Sequence, residues 1–408
     1  MPVVSHARRM IHPLARGVGR RLLPRLMPPS SGGALANGSD GVRVIGLLSS
    51  ASGLGNSARL CVERLAASGF SVSAADVAPL FGASDSIAYP RSNGTSPADE
   101  AIALYHLNPP KLLPGIMRAG LRQYYRTYNI GYWAWELETL PDEWVNAIRY
   151  VDAVFVPSEF CRVAIRRYTD KPVRVVPHPL NPDLVVPPRR KNGGERFAVL
   201  AMLNFGSSFE RKNPYAALRA FKLAFGSDPT ARLIFKTSGG HRHPREFESL
   251  RAVAGDMSNV EVIDEVWPPE KLTQLYRNVD VHLSLHRSEG YGLTIAEAMM
   301  MECPAVVTAW SGNMDFCGED TAFLVAHRLI GFRDGDLSYE GVGEARWADP
   351  DVEQAARCLR LLRKEPELGR RKAVAARRAL IDHTTSHSYE AALRSRFEAG
   401  EARPEARA

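Results

Sequence analysis

Two glutamates flank a pair of glycines late in the chain. Glu289 and Glu297 are separated by seven residues, Gly290 and Gly292 lie between them, and a helix is predicted to begin near Leu293. Backbone amides of flexible glycines at a helix N-terminus can bind a diphosphate. Glu289 would then face whatever lies beyond the phosphates, and Glu297 would reach back to a vicinal diol such as ribose. The alternative is a solvated helix that carries two unrelated glutamates.

A second glycine-rich turn, which contains Gly53, Gly55 and Asn56, follows a predicted strand and opens a predicted helix. Asp76 falls 21 residues beyond Gly55, at the end of the next predicted strand, so the segment mimics the dinucleotide-binding pattern G-x-G-x-x-A. Three interpretations are open: a tight turn that only needs glycine, a loop that faces a phosphate or an acceptor, and binding of NAD(P).

Strand-like and helix-like segments alternate through two stretches of the chain. The first stretch runs from an apolar strand pattern at 42–48 to another at 173–178, and the second runs from 196–203 to 304–309. This alternation predicts an α/β protein with two doubly wound parallel sheets that face a cleft. Ligands of such sheets bind beyond the carboxyl ends of the strands, which is where both glycine-rich turns fall.

The same pattern predicts the domain organisation. Residues 187–195 form a Pro/Gly/basic segment suited to an interdomain linker. We expect a basic flexible arm over 1–40, a first Rossmann-like domain over 41–190 and a second over 191–375. A C-terminal helix and tail over 376–408 would pack back on the first domain.

The charge of the chain is concentrated at its beginning. The 408 residues have a formal net charge of +7, and the first 39 contain six Arg, no Lys and no acidic residue. The remaining body is close to neutral, which argues against a nucleic-acid partner. An arm that mixes Arg with Leu, Ile and Met fits attachment to an anionic membrane surface; a functionless extension is the alternative.

Cysteine usage and hydropathy predict the cellular location. The five cysteines are widely spaced and form no C-x-x-C pair, which indicates neither a disulfide framework nor a zinc site. No apolar run approaches the ~20 residues that cross a bilayer. We therefore expect a cytoplasmic protein, with peripheral attachment to the inner face of the membrane through the arm as an option.

Residues 286–316 resemble the E-x7-E region of glycosyltransferase family 4, a family of retaining sugar transferases with the GT-B fold of two Rossmann-like domains. The segment FERKNPYAALRAF at 209–221 is similar to the family's donor-phosphate loop and the helix after it. NIGYWAWELETLPDEW at 129–144 resembles a segment of its bacterial polysaccharide-assembly and lipopolysaccharide-assembly members. The resemblance covers roughly residues 42–330.

The resemblance implies transfer of a sugar from a nucleotide-sugar donor with retention of anomeric configuration, without a metal or other cofactor. The first choice of donor is GDP-mannose and the second is a UDP-sugar, and the acceptor is a saccharide or a lipid-linked saccharide. Both a protein nucleophile and a same-face displacement are compatible with retention. An NAD(P)-dependent oxidoreductase and a non-catalytic glycan-binding module are the rival functions.

The resemblance also assigns roles to residues. Lys212 and Arg211 would hold the donor diphosphate and stabilise the leaving nucleotide. Glu297 would bind the ribose, and Glu289 and His106 are the catalytic candidates that face the donor sugar. The other donor-side residues are Gly290, Gly292 and Asn313, and the acceptor or phosphate-facing residues are Gly53, Gly55, Asn56, Trp135 and Glu136.

Some of these assignments have alternatives. His106 is equally suited to packing a loop, and indoles as close in sequence as Trp133 and Trp135 are also ordinary core residues. Many family members carry an additional Arg upstream of the phosphate-loop Lys, where this chain has Asn204-Phe205-Gly206-Ser207-Ser208. Arg211 is the expected substitute.

Overall fold

The structure is a computed structural model, and it describes residues 27–30, 32, 41–85, 87–89, 100–180, 186 and 196–399. Most of the arm expected over 1–40 and the whole linker at 187–195 lie outside the described residues, as does the end of the tail.

The first run of alternating segments forms a parallel sheet with the order β2-β1-β3-β4-β5-β6, as far as the described residues show. Its strands are β1 (Gly41–Gly46), β2 (Ser71–Asp76), β3 (Glu100–His106), β4 (Tyr128–Tyr132), β5 (Ala153–Val156) and β6 (Val173–Val175). The strand order reverses between β1 and β3, both of which end at the same edge of the sheet. A ligand crevice is expected at such a reversal.

A second parallel sheet follows, with the order β12-β11-β10-β7-β8-β9 within the described chain. Its strands are β7 (Phe197–Asn204), β8 (Ala231–Ser238), β9 (Val260–Asp264), β10 (Val281–Ser284), β11 (Ala305–Thr308) and β12 (Phe323–Val325). The strand order of this sheet reverses between β7 and β10, which are paired neighbours. A small antiparallel hairpin of β13 (His327–Gly331) and β14 (Arg346–Pro350) follows β12, which is an edge strand of this sheet.

Helices connect the strands of both sheets. In the first half they are α1 (Gly53–Ala67), α2 (Pro109–Ala119), α3 (Leu121–Tyr124), α4 (Asp142–Ala147) and α5 (Glu159–Arg166). In the second half they are α6 (Phe209–Lys212), α7 (Pro214–Phe225), α8 (Pro244–Gly255), α9 (Pro269–Asn278), α10 (Leu293–Met300), α11 (Val352–Lys364), α12 (Pro366–Ser386) and α13 (Tyr389–Ala399). Short 3-10 turns lie at Ala78–Phe81, Ile148–Tyr150, Gly240–Arg242, Gly312–Asp315 and Leu337–Tyr339.

Each sheet is covered by apolar side chains on both faces, which is why its strands read as continuous apolar runs. In β1, Val44 and Ile45 point into separate core clusters on opposite faces. In β7, Val199 and Leu200 do the same for the second sheet. None of the helices in the described part of the chain is long and apolar enough to cross a membrane.

The end of the chain returns to the first sheet. After α12, whose Ala376 and Leu380 pack in the core of the second domain, α13 places Tyr389 and Leu393 in the core of the first. Glu390 accepts a 2.7 Å hydrogen bond from the Ser68 hydroxyl at the end of α1. The last helix therefore packs on the first domain, whereas the helix before it packs on the second.

Candidate active site in the interdomain cleft

The reversal in the second sheet brings a lysine and a glutamate together. The chain leaves β7 into the loop that ends in α6, and it leaves β10 into the glycine-rich turn before α10. Because these strands are neighbours, Lys212 and Glu289 meet at the carboxyl edge of the sheet. The Lys212 Nζ atom donates a 2.5 Å hydrogen bond to Glu289 Oε1.

The charges of two neighbouring cations determine the pKa of Glu289. Glu289 is only 7% exposed, and burial by itself would raise the pKa of its carboxyl group. Lys212 and Arg211 outweigh burial, so the pKa of Glu289 falls to about 2. Glu289 is therefore a carboxylate at neutral pH and is held by two cations.

Arg211, which is only 4% exposed, lies beside Glu289. It donates to the carbonyl oxygen of Ser288 at 2.8 Å and lies 3.1 Å from Glu289 Oε2. Burial disfavours its charge, but Glu136 and Glu289 more than compensate, and the pKa of Arg211 is raised. The guanidinium is thus not presented to the cleft as expected for a diphosphate ligand, because carboxylates and a carbonyl surround it.

Glu136 comes from the loop after β4 of the first domain. Its Oε1 atom lies 3.5 Å from the Arg211 guanidinium, and its backbone carbonyl accepts a hydrogen bond from the Ser288 hydroxyl. Tyr339, in the loop between β13 and β14, lies close to the same guanidinium. The cluster therefore joins the first domain, the second domain and the hairpin.

Two hydrogen bonds hold the backbone of Glu289 against the turn that follows β11. The Glu289 amide donates to Ser311 Oγ at 2.8 Å, and the Gly312 amide donates to the Glu289 carbonyl oxygen at 2.9 Å. A Cβ atom at Gly312 would lie 2.3 Å from the Gly290 oxygen, so only glycine allows this approach.

Gly290 and Gly292 have different structural tasks. The Gly290 carbonyl accepts a 2.6 Å hydrogen bond from Ser158 of the first domain, and a Cβ atom at 290 would lie 3.2 Å from the Trp135 carbonyl oxygen. Gly292 has a φ of +93° and precedes the first residue of α10. One glycine therefore allows close contact between the domains, and the other allows the sharp entry into the helix.

Glu297 lies in the second turn of α10, partly exposed, where its Oε2 atom accepts a 3.0 Å hydrogen bond from the Tyr276 hydroxyl. Burial raises the pKa of Glu297 to about 7, although the hydrogen bond from Tyr276 and the charge of Lys212 oppose this rise. Glu297 therefore titrates near neutral pH, unlike Glu289 on the preceding turn.

The glycine-rich turn of the first domain faces the start of α10 across the cleft. A Cβ atom at Gly53 would come within 4.0 Å of Leu293 Cδ2. Gly55 packs so tightly on the turn that a Cβ atom there would lie 2.5 Å from the Ser50 carbonyl oxygen. Asn56, in the first turn of α1, has its amide oxygen 3.5 Å from Arg59.

Asp76 supports this turn from within the protein. Its carboxylate accepts hydrogen bonds from the Ser49 hydroxyl at 2.7 Å and from the Ala78 amide at 3.0 Å. Both carboxylate oxygens thus have partners in the first domain, which assigns this acid a structural task rather than the ribose contact of a dinucleotide site.

Three further residues that the sequence assigned to the site have enclosed side chains. His106 is fully buried and stacks on Tyr132 with ring centroids 4.4 Å apart, and burial lowers its pKa to about 3. The Trp135 indole packs against Trp144 in the core and donates to the Thr139 carbonyl oxygen, so it offers no ring face to a sugar.

Asn313 is the third. Its side chain is fully buried, with its oxygen 3.0 Å from His286 Nε2 and its Nδ2 atom donating to the Thr308 carbonyl oxygen. It stabilises the turn under Glu289 rather than lining the cleft. Its neighbour Asp315 instead accepts a 2.7 Å hydrogen bond from the amide of Glu159 across the domain interface.

The site contains several residues that the sequence did not predict. Tyr276 looks like an ordinary apolar position of α9, and Ser158, whose hydroxyl accepts a 3.3 Å hydrogen bond from the Cys161 amide, looks like an ordinary helix cap. Ser288 and Tyr339 carry no recognisable pattern. Their partners lie more than 20 residues away along the chain, so no local signal marks them.

Comparison with known proteins agrees with this architecture. Residues 198–330 match the family model described as Glycosyl transferases group 1, which is about a third of the chain. No curated protein sequence matches the chain significantly.

Solved structures give a broader match. HepE from Anabaena, in complex with UDP and glucose, is 12% identical; the match covers 88% of this chain and 99% of that one, with a TM-score of 0.60. Sucrose-phosphate synthase from Thermosynechococcus elongatus is 16% identical, with 88% and 99% covered and a TM-score of 0.61.

The pneumococcal O-GlcNAc transferase GtfA, in complex with UDP and GlcNAc, is 15% identical over 74% of this chain, with a TM-score of 0.50. The chain spans 57% of the length of GtfA and 54% of that of TarM.

The two facing sheets and these neighbours define the GT-B fold, which confirms the fold class predicted from the sequence. The match to glycosyl transferases group 1 spans residues 198–330 of the second domain, so Lys212, Glu289 and Glu297 all lie within the matched segment.

Proposed function

We propose that the chain is a retaining glycosyltransferase of family 4 that transfers a hexose from a UDP-sugar to a saccharide acceptor. The observation that carries this proposal is the 2.5 Å pair of Lys212 and Glu289 at the strand-order reversal of the second sheet. A cation and an anion fixed there can meet the two ends of a sugar diphosphate: the ammonium meets the phosphates, and the carboxylate meets the sugar hydroxyls.

We assign the reaction as a same-face displacement. The acceptor hydroxyl oxygen forms a bond to the anomeric carbon while the bond from that carbon to the phosphate oxygen breaks. The hydroxyl proton passes to the departing phosphate on the same face of the sugar, and Lys212 stabilises the charge of the nucleoside diphosphate. Because Glu289 is already paired with two cations, we assign it to orienting the sugar rather than to nucleophilic attack.

Glu297 supports a nucleoside as the rest of the donor. A carboxylate in the second turn of α10 can accept hydrogen bonds from both ribose hydroxyls, while the amides at the start of this helix bind phosphate. HepE and GtfA were both determined with UDP, which favours uridine over the guanosine of the GDP-mannose expected first. The neighbours' glucose and GlcNAc favour a hexose.

We assign the acceptor to the first domain. The turn at Gly53 in this domain faces Leu293, which begins α10 of the second domain. This turn and the proposed donor residues therefore lie on opposite walls of the cleft. Contact between the domains at Gly290 excludes water from the reacting atoms, which protects the activated sugar from hydrolysis. A lipid-linked saccharide satisfies the same geometry if its sugar enters the cleft.

The decisive experiment measures release of nucleoside diphosphate, with and without a panel of saccharide acceptors, from UDP-glucose, UDP-GlcNAc and GDP-mannose. We expect a UDP-sugar to be used in preference to GDP-mannose. Lys212→Ala is expected to lower kcat by at least 100-fold. The matched control is Lys222→Ala, which removes an exposed lysine from the neighbouring helix α7.

Product stereochemistry tests retention separately. Proton NMR of the product should show the anomeric configuration of the donor, and an inverted product would overturn the assignment to a retaining family. Full activity of Lys212→Ala would remove this lysine from the reaction. Preference for GDP-mannose would leave the class intact and change only the nucleotide.

A further inference from the structure

The surface of the first domain carries three apolar–arginine pairs where α2 meets α3. The apolar members expose 47%, 42% and 41% of their surface in chain order, and the arginines are exposed beside them. We call these six residues the junction patch: Met117, Arg118, Leu121, Arg122, Tyr125 and Arg126.

The junction patch lies on the outer side of the two helices because their inner side packs in the core of the domain. Leu112 and Ile116 of α2 and Tyr124 of α3 belong to one hydrophobic cluster under the first sheet. Gly120, with a φ of +114°, allows the sharp turn between the two helices. Because both helices bury their inner side in the same cluster, their outer residues form one exposed surface.

The charge of this region has one sign. Residues 101–135 contain Lys111 and the three arginines of the junction patch, and they contain no Asp or Glu. Within the described part of the chain, no ion pair is formed by Arg118, Arg122 or Arg126. The patch therefore offers three uncompensated guanidinium groups next to exposed apolar side chains.

We propose that the junction patch docks the first domain onto an anionic lipid surface. Guanidinium groups bind lipid phosphates, and methionine, leucine and tyrosine side chains reach below them into the interface. A nucleic acid would use the arginines but would leave Met117 and Leu121 in water.

This surface is distinct from the arm over 1–39, and it does not depend on the proposed reaction. Both would bind an anionic membrane, so the experiment has to separate them within the full chain. Two measurements do so: vesicle binding by substituted chains, and local hydrogen exchange in the unsubstituted chain.

Binding is measured by sedimentation with vesicles of phosphatidylcholine, with and without phosphatidylglycerol. An arginine near an anionic surface contributes about fivefold to partitioning, so Arg118→Gln/Arg122→Gln/Arg126→Gln should bind about 100-fold more weakly. The charge-matched control is Arg245→Gln/Arg371→Gln/Arg378→Gln, three exposed arginines of the second domain. The apolar variant Met117→Ser/Leu121→Ser/Tyr125→Ser should also lose binding, whereas Leu223→Ser/Val253→Ser/Leu361→Ser should not.

Hydrogen exchange reports on the patch without any substitution, so a variant that fails to fold does not affect this test. Amides of 112–126 should exchange more slowly when phosphatidylglycerol vesicles are added. Vesicle binding with unchanged exchange at 112–126 would assign the binding to another part of the chain and overturn the proposal. Protection by double-stranded RNA but not by vesicles would overturn it as well.

Discussion

The guanidinium of Arg211 in the second domain lies 3.5 Å from the carboxylate of Glu136 in the first. This contact crosses the cleft directly beneath Glu289, which pairs with the same arginine at 3.1 Å. With Lys212, the cluster contains two cations and two carboxylates and is neutral as a whole. The charge that a bound diphosphate meets is therefore set partly by the first domain.

Removing the carboxylate of Glu136 should strengthen nucleotide binding. Glu136→Gln keeps the shape of the side chain and gives the cluster a net charge of +1, which favours a diphosphate. We expect the Kd for UDP to fall by about threefold to tenfold, a change of about 1 kcal/mol. Isothermal titration calorimetry measures it, and an unchanged or larger Kd would contradict the charge argument. The control is Glu138→Gln, which removes another carboxylate of the loop after β4. The Glu138 carboxylate lies 3.6 Å from the guanidinium of Arg346.

Donor binding should depend on pH through Glu297. Its pKa of about 7 lies above the usual range for glutamate, so lowering the pH to 6 protonates the carboxylate that we propose binds the ribose. Affinity for UDP-glucose should rise about tenfold from pH 6 to pH 8. UDP-glucose is the appropriate ligand because its diphosphate does not titrate in this range. Glu297→Gln should bind weakly at both pH values, and Glu270→Gln, at an exposed position of α9, should keep the wild-type profile.

The Tyr276 hydroxyl should set the midpoint of that profile. Its 3.0 Å hydrogen bond stabilises the carboxylate form of Glu297 and thereby lowers the pKa of that group. Tyr276→Phe removes the donor, so the midpoint of the affinity profile should move to higher pH. Tyr215→Phe removes a hydroxyl that bonds Ser249 at 2.6 Å elsewhere in the domain and should leave the midpoint in place. A shift to lower pH after Tyr276→Phe would be the opposite of this expectation.

Gly312 should tolerate no side chain. An added methyl group would lie 2.3 Å from the Gly290 oxygen and 2.5 Å from its carbonyl carbon, so the backbone that carries Glu289 has to move. Gly312→Ala should reduce the free energy of unfolding by about 1–3 kcal/mol and weaken UDP binding. Urea unfolding and calorimetry measure the two effects. Gly318→Ala, where the nearest atom would be Thr321 Oγ1 at 4.0 Å, should behave as wild type in both.

Much of the fold could be predicted from the sequence because its signals are local. Strand β1 at Gly41–Gly46 and strand β7 at Phe197–Asn204 coincide, to within about two residues, with the apolar patterns at 42–48 and 196–203. The apolar runs of the strands indicate sheets covered on both faces, and the glycine-rich turns indicate the carboxyl edge where a ligand binds. The motif spacing and the resemblance also pointed to Lys212 and Glu289, whose side chains meet at the carboxyl edge of the second sheet. Their role in donor binding, like that of Glu297, stays a prediction.

Only the tertiary structure decided which side chains face the cleft. His106 and Trp135 occupy loop and strand-end positions typical of a site, yet packing against Tyr132 and Trp144 encloses both. The sequence likewise contains the charges of Arg211 and Glu136 but not their pairing, because they lie in different domains. Exposure and pairing between distant residues depend on how the two sheets and the hairpin pack, and one chain's local pattern carries no record of that packing.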